Sequence, residues 1–177
     1  MRILNFLFLP FIFLTSVNNS FSQNYKQLEW DVLGVSSLIS TSNNIGNAVG
    51  FYTEARFNFN NRISVGLNYK WQFFGELFDE PIRSAGITNS YGIAGDYYVF
   101  NDVNKRTFAG FAIGIFDNTA TTESGIDIGG SGIGFIPRIG YELNFLRFTA
   151  KYNYTVKKDF PNYFEIGLGL NIGGRYI

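Results

Sequence analysis

Apolar and polar side chains alternate one for one along most of this chain, and a period of two fits extended backbone, whose successive side chains point to opposite faces. From Val49 the odd positions read Val49, Phe51, Thr53, Ala55, Phe57 and Phe59, and the even ones Gly50, Tyr52, Glu54, Arg56 and Asn58. After an Asn60-Asn61 turn, Ile63, Val65, Leu67, Tyr69, Trp71 and Phe73 oppose Ser64, Gly66, Asn68, Lys70 and Gln72. The next strand sets Tyr91, Ile93, Tyr97 and Val99 against Gly92, Ala94, Asp96 and Tyr98, and another, near 106 to 116, sets Phe111, Ile113 and Ile115 against Gly110, Ala112 and Gly114. Phe135, Ile139, Tyr141, Leu143 and Phe145 then oppose Gly134, Arg138, Gly140, Glu142 and Asn144. A tight connection near Phe145-Leu146-Arg147 resets the phase, so that Phe148, Ala150, Tyr152 and Tyr154 oppose Thr149, Lys151, Asn153 and Thr155. The last strand sets Phe164, Ile166, Leu168, Leu170, Ile172 and Tyr176 against Glu165, Gly167, Gly169, Asn171 and Arg175. A first strand near Trp30 to Ser40 is ambiguous, because Leu33, Val35 and Ile39 compete with Trp30, Val32 and Leu38 for the apolar face. Counting it by length and position gives eight strands and an all-β fold.

Composition agrees. With 20 Gly, 20 Phe and 11 Tyr among 177 residues, the chain is too aromatic and too rich in glycine for an ordinary soluble α/β domain. Arg2 and the apolar run Ile3 to Leu14, followed by Ser20-Phe21-Ser22, have the form of a secretory signal peptide, with cleavage expected after Ser22. Residues 23–177 are then a single barrel domain with 13 basic and 14 acidic residues, since removal of 1–22 takes only Arg2. No basic face recommends nucleic acid. There is no Cys, hence no disulfide framework.

Connections two, four and six are short. The others are longer, at about 41 to 47, 75 to 88, 117 to 131 and 157 to 162, the asymmetry of barrels with short periplasmic turns and longer outer loops. Alternation alone permits the apolar face to look inward around a ligand, as in a lipocalin, or outward to lipid. Volume decides: roughly thirty bulky apolar side chains do not fit in an eight-stranded bore that is only just wide enough for side chains. The opposite face is rich in Gly and carries the charges Glu54, Arg56, Lys70, Asp96, Arg138, Glu142, Lys151, Glu165 and Arg175. These form an expected interior network, and the apolar face of strands two to eight carries none. The fold expected is an all-β, eight-stranded antiparallel up-and-down transmembrane β-barrel with strand eight closing on strand one.

From Trp30 to Ile177 the chain resembles the small eight-stranded outer-membrane protein β-barrel families typified by OmpX and the transmembrane domain of OmpA. The resemblance rests on architecture and strand rhythm, and it implies an outer-membrane location with lipid and the barrel-assembly machinery as partners. Tyr163 to Ile177 looks like the C-terminal assembly signal of such proteins, although Tyr176 is penultimate and Ile177 last where that family ends on an aromatic. Trp71, Phe73, Tyr91, Tyr152, Tyr154, Tyr163 and Tyr176 suit interfacial aromatic girdles.

The chain contains no His, the usual base for a Ser nucleophile and the commonest metal ligand, so neither catalysis nor a cofactor is expected. Asp117, Glu123 and Asp127 with Gly125, Gly129, Gly130 and Gly132 do not match a calcium loop in spacing and are expected to be a solvated loop. The leading expectation is a monomeric outer-membrane protein with a structural or surface-interaction role and no wide pore. A narrow channel or transporter for ions or small hydrophobic solutes is the alternative, and a secreted lipocalin-like binder the third.

Overall fold

The computed structural model describes residues 27–40, 48–75, 84–102, 104–122, 127–157 and 162–173. The expected signal segment 1–22, the connection 41–47, Arg175, Tyr176 and Ile177 lie outside them. Eight antiparallel strands follow one another around a closed barrel: β1 (Leu28–Ser40), β2 (Ala48–Asn58), β3 (Ile63–Gly75), β4 (Ser84–Asn101), β5 (Lys105–Thr122), β6 (Asp127–Leu143), β7 (Leu146–Thr155) and β8 (Tyr163–Ile172). Each strand pairs with its sequence neighbours, and β1 pairs with β8 from Trp30↔Ile172 to Ser40↔Tyr163, so no edge is left along the wall.

The side chains sort as the period of two requires. Leu67, Ile93 and Ile139 are about 60% or more exposed, whereas Glu54, Arg56, Asp96 and Glu165 are buried. The apolar residues coat the outside and the charges fill the bore. Inward glycines are matched to large inward neighbours. A Cβ on Gly34 would stand 2.1 Å from the Tyr52 ring, one on Gly134 2.3 Å from Phe116, and one on Gly140 2.2 Å from Phe108. Tyr52 also crosses Gly167 and Gly169 of β8. Glycine in a strand marks such a close approach.

The ambiguity of β1 has a physical cause. A β-bulge between Asp31 and Gly34 shifts the register against both β2 and β8. Leu28 and Trp30 face out before it, Val32 within it and Val35 after it, so no single phase describes the strand. Thr53, placed on the outer face, is satisfied there: Trp30 Nε1 donates to its Oγ1 at 2.6 Å, and Oγ1 donates to the Asp31 carbonyl at 2.7 Å.

Three boundaries differ from expectation. The loop expected at 75–88 is shorter, because Gly75 still pairs with Ala85 and β4 begins at Ser84. The loop expected at 117–131 is largely a two-stranded ribbon: β5 runs on to Thr122, β6 begins at Asp127, and the pairs extend to Thr121↔Asp127. Its Thr, Ser and Gly composition reads as loop, yet paired backbone needs no apolar pattern where both faces meet water. Asp117 and Asp127 therefore lie in strands, and Glu123 and Gly125 lie outside the described residues. The phase reset falls at Asn144 and Phe145, between the paired Leu143 and Leu146, while Leu146 and Arg147 belong to β7. Asn144 has φ 54°, a left-handed conformation that asparagine adopts more readily than most residues. Pro137 has no N–H for β7, and no pairing joins β6 to β7 between Phe135 and Arg138.

The glycine and ring pairing predicts a sharp asymmetry at neighbouring positions. Gly140→Leu is expected to destabilise the barrel by about 1–3 kcal/mol or to prevent its folding, because the Phe108 ring and the Phe148 carbonyl occupy the space. Ile139→Leu, on the outer face, is expected to cost less than about 1.5 kcal/mol. Urea unfolding of the protein in lipid vesicles measures both.

Candidate functional site: the charged interior

Of the nine charges of the expected network, Arg175 lies outside the described residues, and the other eight, Glu54, Arg56, Lys70, Asp96, Arg138, Glu142, Lys151 and Glu165, point into the bore on six of the eight strands. Seven are buried, and the Lys151 side chain retains 10% exposure. Among the described residues the ion pairs fall into two layers.

The layer nearer the short turns is built from arginine. Arg138 grips two carboxylates at once, with Nη1 and Nη2 on Glu54 at 2.5 and 2.8 Å and Nε and Nη2 on Asp96 at 2.7 and 2.8 Å. Arg56 donates to Asp31 at 2.6 and 3.3 Å and lies 3.5 Å from Glu54. Asp31 and Glu54 stand directly opposite each other on β1 and β2, an arrangement that like charges disfavour without a cation to bridge them. Arg147 donates to Asp96 at 2.7 Å and pairs with Glu142. Arg106 meets Glu29 at 2.5 Å and also pairs with Glu142. The planar guanidinium suits this work, since its fork of donors meets carboxylates in parallel pairs. Aromatic faces take up part of the rest: Arg147 sits 3.8 Å from the Phe108 centroid and Arg106 4.8 Å from that of Tyr98.

The second layer is built from lysine. Lys70 Nζ donates to Glu165 at 2.6 Å, to the Tyr163 hydroxyl at 3.1 Å and to Asn153 at 3.3 Å. The Tyr163 hydroxyl donates to Gln72 at 3.0 Å, and Gln72 donates to Ser36 at 3.3 Å. Lys151 Nζ reaches the other oxygen of Glu165 at 3.2 Å and lies 4.3 Å from the Tyr52 centroid. Tyr163 thus faces inward and is not part of an outer girdle, a correction to its expected place. Tyr91 and Tyr154 are exposed on the outside, Trp71, Phe73 and Tyr152 are half-exposed, and Tyr176 lies outside the described residues.

Four members of the first layer were not among the expected charges. Glu29 and Asp31 sit on the bulged strand whose phase could not be read, and Arg106 and Arg147 sit beside turns. A signal did exist, because Arg106 and Arg147 are the cross-strand neighbours of Glu142 on its two sides. Five carboxylates with four guanidiniums leave the first layer one charge negative, and two ammoniums on one carboxylate leave the second one charge positive. As a whole the paired interior is neutral. Among the described residues no cluster of His, Cys, Asp and Glu is arranged to hold a metal ion.

Closed topology, strand count and a charged bore beneath an apolar exterior define the fold of the eight-stranded outer-membrane barrels. The structure is similar to Neisserial surface protein A, with a TM-score of 0.63 at 14% identity, covering 82% of this chain and 95% of that one. It is also similar to the N-terminal β-barrel domain of Pseudomonas aeruginosa OprF, with a TM-score of 0.55 at 11% identity, covering 83% of this chain and 98% of that one. Neither a protein-family model nor a curated protein matches the sequence. At these identities the likeness is one of fold.

The double grip of Arg138 predicts strong coupling to its partners. Arg138→Met is expected to cost about 3–5 kcal/mol, because Glu54 and Asp96 lose a shared buried partner. Adding Glu54→Gln removes one of the stranded charges, so the double variant is expected to be less destabilised than the sum of the singles by about 0.5–3 kcal/mol. Additive losses in unfolding experiments contradict the pairing.

Proposed function

We propose that this protein is an integral outer-membrane barrel whose role is structural or one of surface interaction, with neither a wide pore nor a catalytic centre. The observation that carries this reading is the orientation of the wall, with exposed Leu, Ile, Val, Phe and Tyr side chains around the whole circumference and the ion pairs inside. A charged outer face would cost about 2–4 kcal/mol per basic residue at the bilayer midplane, and a soluble lipocalin-like binder would need the reverse arrangement. β3, with 13 residues, is long enough to cross a bilayer as a tilted strand, for which about 9–11 suffice. In this reading lipid contacts the outer face, the assembly machinery inserts the chain, and the protein acts as a monomer.

Support for a surface role comes from the unequal strands. β4, β5 and β6 have 18, 18 and 17 residues, against 10 to 13 in the others. Beyond Phe116 and Gly134 the β5–β6 ribbon carries Asp117, Asn118, Thr119, Ser131 and three glycines, a polar platform on the side away from the short turns. Against transport stands the bore itself, which Tyr52, Tyr98, Phe108, Phe116 and Ile136 help the two charged layers to fill.

The mature protein is expected to stay with the outer-membrane fraction through an alkaline wash and to leave it only with detergent. Recovery in the aqueous fraction contradicts the membrane reading. In planar bilayers it is expected to give no large steady conductance. Replacing residues 119–129 by Asn-Gly, which joins the paired Asn118 and Gly130, is expected to leave folding intact. The same variant is expected to abolish binding of protein-displaying cells to immobilised matrix proteins, and retained binding removes the ribbon from the role.

A further inference from the structure

Between the arginine layer and the lysine layer the bore is not completely filled. A cavity of about 20 Å³ lies there, lined by Lys70, Lys151, Arg138, Asn68, Ser90 and the ring of Tyr52 among others. A space of that size holds one water-sized particle, and a water there needs two to four polar partners. The lining is unbalanced in two respects. First, it is rich in donors. Lys70 gives its three donors to Glu165, Tyr163 and Asn153, and the guanidinium of Arg138 is taken up by Glu54 and Asp96. Lys151 has a single hydrogen-bonded partner, Glu165 at 3.2 Å, which leaves two of its N–H groups for the cavity. The Ser90 hydroxyl and the Asn68 amide also line it. Ser90 is buried, and no hydrogen bond joins either side chain to another described residue. Second, the charged lining is cationic: Lys70, Lys151 and Arg138 are the charged side chains that line the cavity, and Lys70 and Lys151 share one carboxylate.

A pocket within the bore with free N–H and O–H donors, one surplus cation in the lysine layer and room for one particle is complementary to a small anion. We propose that this cavity binds a single halide-sized monovalent anion, with Lys151 as its counter-charge and Ser90 and Asn68 as hydrogen-bond donors. The anion neutralises the lysine layer, in which two ammoniums share one carboxylate. Lys151, with the most exposed side chain of that layer, marks the side from which the ion enters.

Two measurements test this. Crystals of the protein grown in sodium bromide are expected to show an anomalous peak in the cavity, within hydrogen-bonding distance of Lys151 Nζ and Ser90 Oγ. Urea unfolding in phosphatidylcholine vesicles, with sodium chloride exchanged for sodium gluconate at constant ionic strength, is expected to show a midpoint that rises with chloride. The rise follows the logarithm of its concentration once the site is half filled. Ser90→Ala is expected to keep the fold and to move half-saturation to several-fold higher chloride, and Lys151→Met to remove the dependence. A water without anomalous signal in the bromide crystals overturns the proposal. So does a midpoint indifferent to the exchange of chloride for gluconate, or a chloride response unchanged in Ser90→Ala and Lys151→Met. A bromide peak without any chloride response in solution marks binding at crystal concentration only and overturns it equally.

Discussion

The pairing of β1 with β8 is the interaction on which everything else rests. An apolar exterior gives the backbone no water to turn to, so an open strand edge along the wall would leave a row of N–H and C=O groups unsatisfied. Closing the sheet from Trp30↔Ile172 to Ser40↔Tyr163 removes that edge. Closure at eight strands also fixes the bore, and a bore so narrow admits few side chains. The glycines follow from this. Gly34, Gly134 and Gly140 lie beneath Tyr52, Phe116 and Phe108 because two large side chains cannot share one level of the lumen.

Once the bore is closed, charge within it must be matched internally. The arginine layer meets this demand through geometry, since Arg138 satisfies Glu54 and Asp96 together while Arg56 bridges Asp31 toward Glu54. The lysine layer uses a compact ammonium that donates to three partners around one point, as Lys70 does to Glu165, Tyr163 and Asn153. Such pairs add little stability over a well-packed apolar core, because desolvation offsets most of the attraction. Their arrangement instead ties β1, β2, β4 and β6 to one register across the lumen. The polar filling also leaves the outer face to Val, Ile, Leu and aromatic side chains.

Much of this was legible in the sequence, for a reason visible in particular strands. From Val49 to Asn58, from Ile63 to Phe73 and throughout β8 every outward position is Val, Ile, Leu, Ala, Thr or an aromatic and every inward one is polar, tyrosine or glycine, so phase and face follow directly. Legibility ended where the period breaks or where water meets both faces. The bulge in β1 reverses the phase within one strand and hides Glu29 and Asp31. The β5–β6 ribbon has no apolar side, so Thr119 and Gly129 read as loop although they pair. Tyr163 carries the same residue type as the outer aromatics, but the phase of β8 sets it opposite Phe164, and its hydrogen bonds with Lys70 and Gln72 hold it inside. Which carboxylate each arginine takes depends on cross-lumen distances that periodicity does not encode.

The orientation of the wall is tested most directly by spin labels, and the absence of native cysteine makes single-cysteine variants clean. Labels placed in turn at positions 64 to 68 of β3, with the protein in lipid vesicles, report contact with oxygen, which concentrates in lipid, and with a water-soluble nickel chelate. At Val65 and Leu67 the account predicts strong oxygen contact and almost none with the chelate, and at Ser64, Gly66 and Asn68 restricted motion with low contact to oxygen. The opposite phase, with Val65 and Leu67 shielded from lipid and the even positions open to it, contradicts it.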